Sequence, residues 1–406
     1  MALVCSHAIQ YFMPWFRHVA RHPRIQPTVL LCHDHGLEAP GFDPGFGRPV
    51  RWDVPLLDGL EVVRLRNHAP RPGVGRFFGI FNLGLPLALS RNRYDAVVIH
   101  GWNYACYPLA LLSARLRGLP VLMRGESPLL PGEPDEPATA RARLRRWLRQ
   151  GVLRPYLSLC AGALAVSSGN RRLLLQLGMP PERIFFSPYA VEGERFCLPE
   201  AERAVARAQL RAELAVGKEV PLIVSVGKLQ PIKEPLLLLS AYARLRAQGI
   251  EAALAYVGDG ELRAALTQAA RSVPDVHLLG FRNQSELPAL YAAADLLVLP
   301  SRRETFGLVI NEAMHAGLPV ICSDGVGCAE DLVRPGETGL VFPRGNEDRL
   351  MACLVELCHG PAAAARRERL GRAARERIQS WTFEQATAGL LGALDALPPP
   401  PSEEQS

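Results

Sequence analysis

Asp295-Leu-Leu-Val-Leu-Pro-Ser-Arg-Arg-Glu-Thr-Phe-Gly-Leu-Val-Ile-Asn-Glu-Ala-Met-His-Ala-Gly-Leu-Pro-Val320 is the stretch around which this chain of 406 residues is organised. Its apolar run 296–299 is short and stopped by Pro300, so it reads as a buried strand. The polar residues 301–305 follow as a loop. Leu308, Ile310, Ala313 and Met314 then give a helical pattern, which Gly317 and Pro319 end. Strand, loop and helix in that order place the loop at the carboxyl edge of a parallel sheet, where doubly wound folds hold phosphate-bearing ligands. The first turn of such a helix has N–H groups without helical partners and carries the positive end of the dipole. Gly307 lets a diphosphate come close to those groups, with Phe306 and Leu308 beside it. Two carboxylates frame the turn, Glu304 in the loop and Glu312 in the helix. Next to a diphosphate a carboxylate is repelled unless it accepts hydrogen bonds from hydroxyl groups. Sugar hydroxyls at Glu304 and ribose hydroxyls at Glu312 suit that requirement; two exposed acids at an ordinary helix start are the alternative.

Glu304-x7-Glu312, with Phe306-Gly307 inside it and Ala316-Gly317-Leu318-Pro319-Val320 after it, resembles the signature of the family-4 retaining glycosyltransferases of the GT-B fold. The resemblance implies an α/β chain of two facing, doubly wound Rossmann-like domains with a C-terminal crossover helix. It also implies transfer of a sugar from a nucleotide-diphosphate sugar to an acceptor hydroxyl, in cell-envelope polysaccharide or glycoconjugate synthesis, with no metal and no cofactor. The resemblance runs through residues 222–343, which are expected to bind the donor.

Lysine is rare: two of the three in the chain, Lys228 and Lys233, sit in Val226-Gly227-Lys228-Leu-Gln-Pro-Ile-Lys233, after a strand and before a helix. Fixed cations stabilise a diphosphate that gains charge as the glycosyl bond breaks. The loop resembles the family's Gly-Arg-x4-Lys element, with lysine at 228 giving up the bidentate geometry of arginine. Tyr256-Val-Gly258-Asp-Gly260 matches the family's Val-Gly-x-Gly turn, and Phe281 after the next strand is expected near the nucleotide base. Catalytic roles are thus expected at Glu304, Lys233, Lys228 and Glu126, and donor contacts at Gly227, Gly258, Phe281, Phe306, Gly307, Leu308 and Glu312.

The first half carries less of the resemblance. Glu126, in Met123-Arg124-Gly125-Glu126-Ser127, stands where many members have a histidine; it orients the acceptor, contacts the donor sugar or caps a helix. His100-Gly-Trp102-Asn103-Tyr ends the most apolar strand of this half, so His100, Trp102 and Asn103, with Arg124, are acceptor-side candidates. A satisfied structural histidine is the other reading of His100. Ser6-His7-Ala-Ile-Gln-Tyr11 resembles a bacterial subset that opens His-Pro-Ile-Gln-Tyr, but lacks the glycine-rich loop of many relatives. That departure leaves a non-catalytic sugar-nucleotide sensor or scaffold in view, alongside a sugar-nucleotide epimerase on the same fold.

Strands alternating with helices divide the chain into residues 1–190 and 191–380, which the resemblance makes an acceptor-side and a nucleotide-sugar domain. Residues 381–397 read as a last amphipathic helix, which the resemblance implies crosses back to the first domain, and 398–406 as a disordered tail. Residues 36–59 read as a loop rich in Gly, Pro and Asp, and 131–137 as a surface loop. Nine scattered cysteines with no Cys-x-x-Cys argue for reduced thiols and against a zinc site or disulfide framework. Without a signal segment or a membrane-spanning run, a cytoplasmic protein is expected. The net charge of +6 is concentrated. The segment from Arg141 to Arg154 is a basic helix with Leu144, Trp147, Leu148 and Val152 as a narrow apolar stripe. It is either a solvated surface helix packed through that stripe or a peripheral contact with the inner face of a membrane. Nucleic acid is not expected as a partner, because no aromatic-interleaved basic motif accompanies the charge. The expected partners are a nucleotide sugar and a glycan, lipid-linked or small-molecule acceptor.

Overall fold

The structure is a computed structural model that describes residues 1–91, 94–130 and 140–397. The loop expected at 131–137 and the tail expected at 398–406 lie outside the described residues. The chain forms two compact units. One comprises residues 1–41, 55–189 and the C-terminal segment from 383; the other comprises 42–54 and 190–382.

The first unit carries β1 (Ala2–Cys5) and β2 (Thr28–Leu31). Next in the chain come β3 (Gly41–Asp43) and β4 (Arg48–Val50), a small two-stranded sheet whose residues 42–54 group with the second unit. The first unit continues with β5 (Glu61–Arg64), β6 (Val97–His100), β7 (Val121–Gly125), β8 (Gly162–Ala165) and β9 (Ile184–Phe186). Its sheet has the order β5-β2-β1-β6-β7-β8-β9, and the pairs are parallel, with Ala2 opposite both Thr28 and Val97. Strands covered on both faces read as unbroken apolar runs, and Ala2, Leu3, Val4, Val97, Val98 and Ile99 are fully buried. The connection reverses between β1 and β6, and their carboxyl ends form the crevice of this fold class.

The helix Phe383–Asp395 belongs to this unit too. Trp15 Nε1 donates to Thr387 Oγ1 at 3.2 Å, and Ser187 Oγ donates to the Ala386 carbonyl at 2.8 Å. A side chain at Gly389 would place its Cβ 2.0 Å from the Phe186 carbonyl oxygen, so only glycine lets the helix approach β9 this closely.

The basic segment is the helix Ala140–Ser158. It packs through Leu153 and Leu157, which are buried, whereas Trp147 and Val152 of the expected stripe are both 69% exposed. The packed face is therefore offset from the one that the stripe suggests. Among the described residues no helix is long and apolar enough to cross a membrane.

The second unit repeats the plan. Its strands are β10 (Leu222–Val226), β11 (Ala253–Val257), β12 (Val276–Gly280), β13 (Leu296–Leu299), β14 (Val320–Ser323) and β15 (Gly339–Phe342). The order β12-β11-β10-β13-β14-β15 is again parallel, with the reversal between β10 and β13. The stretch 295–320 supplies β13, the loop and the helix Leu308–His315 as its sequence indicates. Asp295, at its head, accepts from Arg207 Nη2 at 2.7 Å, from Arg211 Nη1 at 3.0 Å and from the Leu222 N–H at 2.7 Å. One carboxylate thus ties the helix Glu200–Glu213 to the beginnings of β10 and β13.

The stretch 36–59, expected as a loop of the first domain, departs from that reading. Its aromatic residues Phe46 and Trp52 find apolar cover against Phe281 of the second unit, with ring centroids 5.0 and 6.0 Å away. That cover fixes residues 42–54 as a strap on the second unit. β5 and the helix Leu85–Arg91 were also not legible: Glu61-Val-Val-Arg64 is a short edge strand with only two apolar residues.

Candidate functional site

The carboxyl edge of the second sheet gathers most of the donor-side candidates. β10 is followed by Gly227, whose φ of +146° suits glycine, and then by Lys228. The neighbouring turn after β11 is packed on it backbone to backbone. The Gly227 N–H donates to the Val257 carbonyl at 2.9 Å, and the Leu229 N–H donates to the Asp259 carbonyl at 2.8 Å. A Cβ at Gly258 would stand 1.8 Å from the Gly227 carbonyl oxygen. The glycines of Val257-Gly-Asp-Gly260 are thus needed to let the two loops touch.

From Lys228 the chain makes a 3-10 turn, Pro231–Lys233, and Glu234 takes a left-handed conformation with φ +50°. Lys233 Nζ then bonds Glu304 Oε2, and both side chains are mostly covered. The other Glu304 oxygen accepts from the Thr305 N–H at 3.1 Å. Arg302 bonds Glu234, and its N–H donates to the Ile232 carbonyl at 2.9 Å, so the two loops that bear Lys233 and Glu304 are pinned to each other. Gly307 has φ +102° and heads the helix Leu308–His315; a Cβ there would also fall 2.8 Å from Val326 Cγ1. Leu308 is half-buried in the first turn. Cysteine, histidine and acidic side chains form no cluster of three that could hold a metal among the described residues.

Two donor-side candidates are enclosed. Phe306 is 1% exposed, with its ring 6.2 Å from that of Trp381. Its side chain is core, and only its backbone borders the turn. Glu312 has no exposed surface and accepts a 2.8 Å hydrogen bond from the buried Tyr291 hydroxyl. Its position in the second turn of the helix brings it against the helix Leu287–Ala293, and Tyr291 fixes one of its carboxylate oxygens.

The first unit brings His7, Trp102, Asn103 and Glu126 to the carboxyl ends of β1, β6 and β7, which are adjacent in the sheet. Asn103 and Glu126 are exposed, and His7 and Trp102 are half-buried. His7 Nδ1 lies 3.0 Å from Ser6 Oγ. His100 and Arg124 do not join them. The Arg124 guanidinium lies 3.9 Å from the Trp15 ring centroid and 4.6 Å from that of Tyr189, and donates to the Ser187 and Pro188 carbonyls at 3.3 Å. Burial lowers its pKa to about 10. His100 is packed among Phe12, Trp15 and Phe16. Both are enclosed beneath the sheet edge.

This enclosure has a measurable cost in acid. Burial, and then the Arg124 charge, lowers the His100 pKa to about 3; burial, and then Arg375, lowers that of His315 to about 4. Each ring is neutral in the fold but takes a proton in the unfolded chain below about pH 6.5. The unfolded state binds more protons there, so stability falls as pH drops. Between pH 6.5 and 5 each histidine is expected to cost about 2 kcal/mol. Urea midpoints at pH 7 and 5 check this, and His100→Leu is expected to reduce the slope by about one proton. An unchanged slope contradicts the assignment.

The strap was missed by sequence reasoning, and it reaches the same edge. Asp43 accepts from Lys228 Nζ at 2.9 and 3.1 Å, and Phe46 lies 4.9 Å below that ammonium. No local signal marks this contact, since Asp43 and Lys228 are 185 residues apart.

The model of the family described as glycosyl transferases group 1 matches residues 206–377, within the second unit. The GDP-mannose-dependent alpha-mannosyltransferase of Mycobacterium tuberculosis (strain CDC 1551 / Oshkosh) is 32% identical over 347 residues, 84% of either chain. The sulfoquinovosyl transferase SQD2 of Arabidopsis thaliana is 34% identical over 182 residues, which span 44% of this chain and 34% of that protein. A solved structure of Anabaena Alr3699/HepE in complex with UDP and glucose superposes with a TM-score of 0.72, at 18% identity, over 98% of this chain and 99% of that one. That likeness shows the fold, an α/β GT-B arrangement of two Rossmann-like sheets. With a relative alignable along most of its length, and the family's own pattern on the sheet that bears Lys228 and Lys233, the chain belongs to the glycosyl transferases group 1 family.

Proposed function

We propose that this protein transfers a glycosyl group from a nucleoside-diphosphate sugar to an acceptor hydroxyl, with retention at the anomeric carbon and without a bound metal. The observation that carries the reading is the Lys233–Glu304 pair at the carboxyl edge of the second sheet, beside the Gly307 turn. As the bond between the anomeric carbon and the diphosphate oxygen breaks, Lys233, Lys228 and the first-turn N–H groups of the helix Leu308–His315 receive the charge of the leaving group. Two ammonium groups supply there what a divalent ion supplies in other enzymes. Glu304 accepts hydrogen bonds from sugar hydroxyls and is held in place by Lys233 and the Thr305 N–H. The acceptor oxygen bonds to the anomeric carbon, and its proton passes to the departing phosphate oxygen on the same face.

A GDP-mannose-dependent relative and a UDP-bound structural neighbour support a nucleotide sugar as donor. The acceptor is a glycan, lipid-linked or small-molecule hydroxyl compound of cell-envelope or glycoconjugate synthesis, oriented by Glu126, Asn103, Trp102 and His7. We place the activity in the cytoplasm. The helix Ala140–Ser158, with six arginines and the exposed Trp147 and Val152, provides peripheral contact with an anionic membrane face.

The test is incubation with UDP-glucose, GDP-mannose and related donors in EDTA, followed by proton NMR of the released or transferred sugar. An α-configured first product from an α-linked donor is expected. A β product contradicts retention, and activity lost in EDTA but restored by magnesium contradicts metal independence. Nucleotide binding without any turnover points to the sensor in place of the enzyme.

A further inference from the structure

Residues 42–54 cross the carboxyl edge of the second sheet and touch each loop that leaves β10, β11 and β12. Asp43 bonds Lys228 after β10, and Arg48 lies 3.9 Å from Asp259 after β11. Phe46, Arg48 and Trp52 surround the Phe281 ring after β12, with the Arg48 guanidinium 5.2 Å from its centroid. Further along, Asn283 Nδ2 donates to the Arg51 carbonyl at 2.9 Å, and the Ser285 hydroxyl and N–H donate to Asp53. The strap is shaped for Lys228. A Cβ at Gly45 would stand 2.5 Å from Lys228 Cδ, so the glycine leaves the lysine stem room to lie along the turn.

The charges balance within the unit. Lys228 faces Asp43, and Lys233 faces Glu304. A diphosphate brings two or more negative charges to two lysines that already hold carboxylates. One pair has to open, and Glu304 is the acid placed to stay, because its partners are the sugar hydroxyls. Asp43 has no such use. It is held as an anion by the lysine and by the Gly45 and Phe46 N–H groups, at 2.7 and 3.1 Å. Burial pushes its carboxyl up, but the Lys228 ammonium and the two N–H groups outweigh burial and hold it below the usual carboxylate range.

We propose that Asp43 is a built-in stand-in for a donor phosphate on Lys228, and that a nucleoside diphosphate binds by exchanging its phosphate for this carboxylate, which frees the strap from Lys228. The inference rests on the donor site proposed above. Asp43 thereby sets the affinity of the site: a ligand that lacks phosphate charge at Lys228 has nothing to exchange.

The experiment is calorimetric titration of UDP, GDP and ADP into the full chain, as wild type, Asp43→Asn, Lys228→Met and the double variant. Asp43→Asn keeps the acceptor for the Gly45 and Phe46 N–H groups, so the turn is retained, and melting curves check that it is. Asp43→Asn is expected to bind the preferred diphosphate about 5- to 10-fold more tightly, the scale of one modest ion pair. The gain is expected to vanish on the Lys228→Met background. As a second readout, emission from Trp52, read as the difference from Trp52→Phe, is expected to shift on saturation as the strap leaves Phe281. If wild type binds a diphosphate and Asp43→Asn binds it no better, or the gain persists without Lys228, the exchange is overturned while the donor site stands. If no folded variant binds any diphosphate, the donor site itself falls, and the exchange with it.

Discussion

Lys233→Ala is expected to lower glycosyl transfer by about 10²- to 10³-fold, the cost of removing one preorganised group that receives developing negative charge. The side chain is placed by the 3-10 turn Pro231–Lys233 and by its bond to Glu304. On the proposed reading, its loss removes a cation from the diphosphate and also leaves Glu304 unneutralised, to repel the incoming phosphate. Lys233→Arg is expected to recover part of the rate, since the charge returns in a different shape. The pair is mostly covered, so loss of Lys233 also removes the counter-charge of Glu304 in the fold, and stability has to be followed alongside the rate. The check is kcat/KM alongside a melting curve. A loss of less than about tenfold in a folded variant contradicts the role.

Asp295→Ala is the substitution expected to harm the fold most, by about 3–5 kcal/mol. Asp295 is the acceptor shared by Arg207, Arg211 and the Leu222 N–H. Arg211 is 5% exposed and also donates to the carbonyls of 217, 218 and 220, which carry no charge, so the alanine variant takes the Asp295 counter-charge from a buried guanidinium. Arg207→Ala is expected to cost less, because that side chain is 31% exposed and its removal leaves the Arg211 pair in place. Urea unfolding of the two variants separates the cases. Equal and small losses contradict the view that this carboxylate fastens the helix Glu200–Glu213 to the sheet.

Much of the second unit was legible because its signals are local. Leu296–Leu299 and the helix that starts at Leu308 each carry an apolar run or spacing bounded by Gly or Pro, and each formed where the sequence placed it. Lysine scarcity marked Lys228 and Lys233, and the Glu304 loop followed from the strand before it. Side-chain enclosure was not legible. Glu312, His100 and Arg124 sit near strand or helix ends, where polar groups often face a ligand. Whether they do depends on neighbours such as Tyr291, Phe16 and Trp15, which are brought in from distant parts of the chain. The strap was hidden for the same reason. Its Gly, Pro and Asp content reads as a loop, and only Phe46 and Trp52 hint at a surface that needs cover.

The most direct measurement is calorimetric titration of UDP, GDP and ADP, in EDTA, into wild type and Lys233→Ala. The account predicts saturable binding of one base to wild type without metal, weakened at least about tenfold in Lys233→Ala. Failure of folded wild type to bind any of the three, or equal binding by both proteins, would contradict the placement of the diphosphate at the edge of the second sheet.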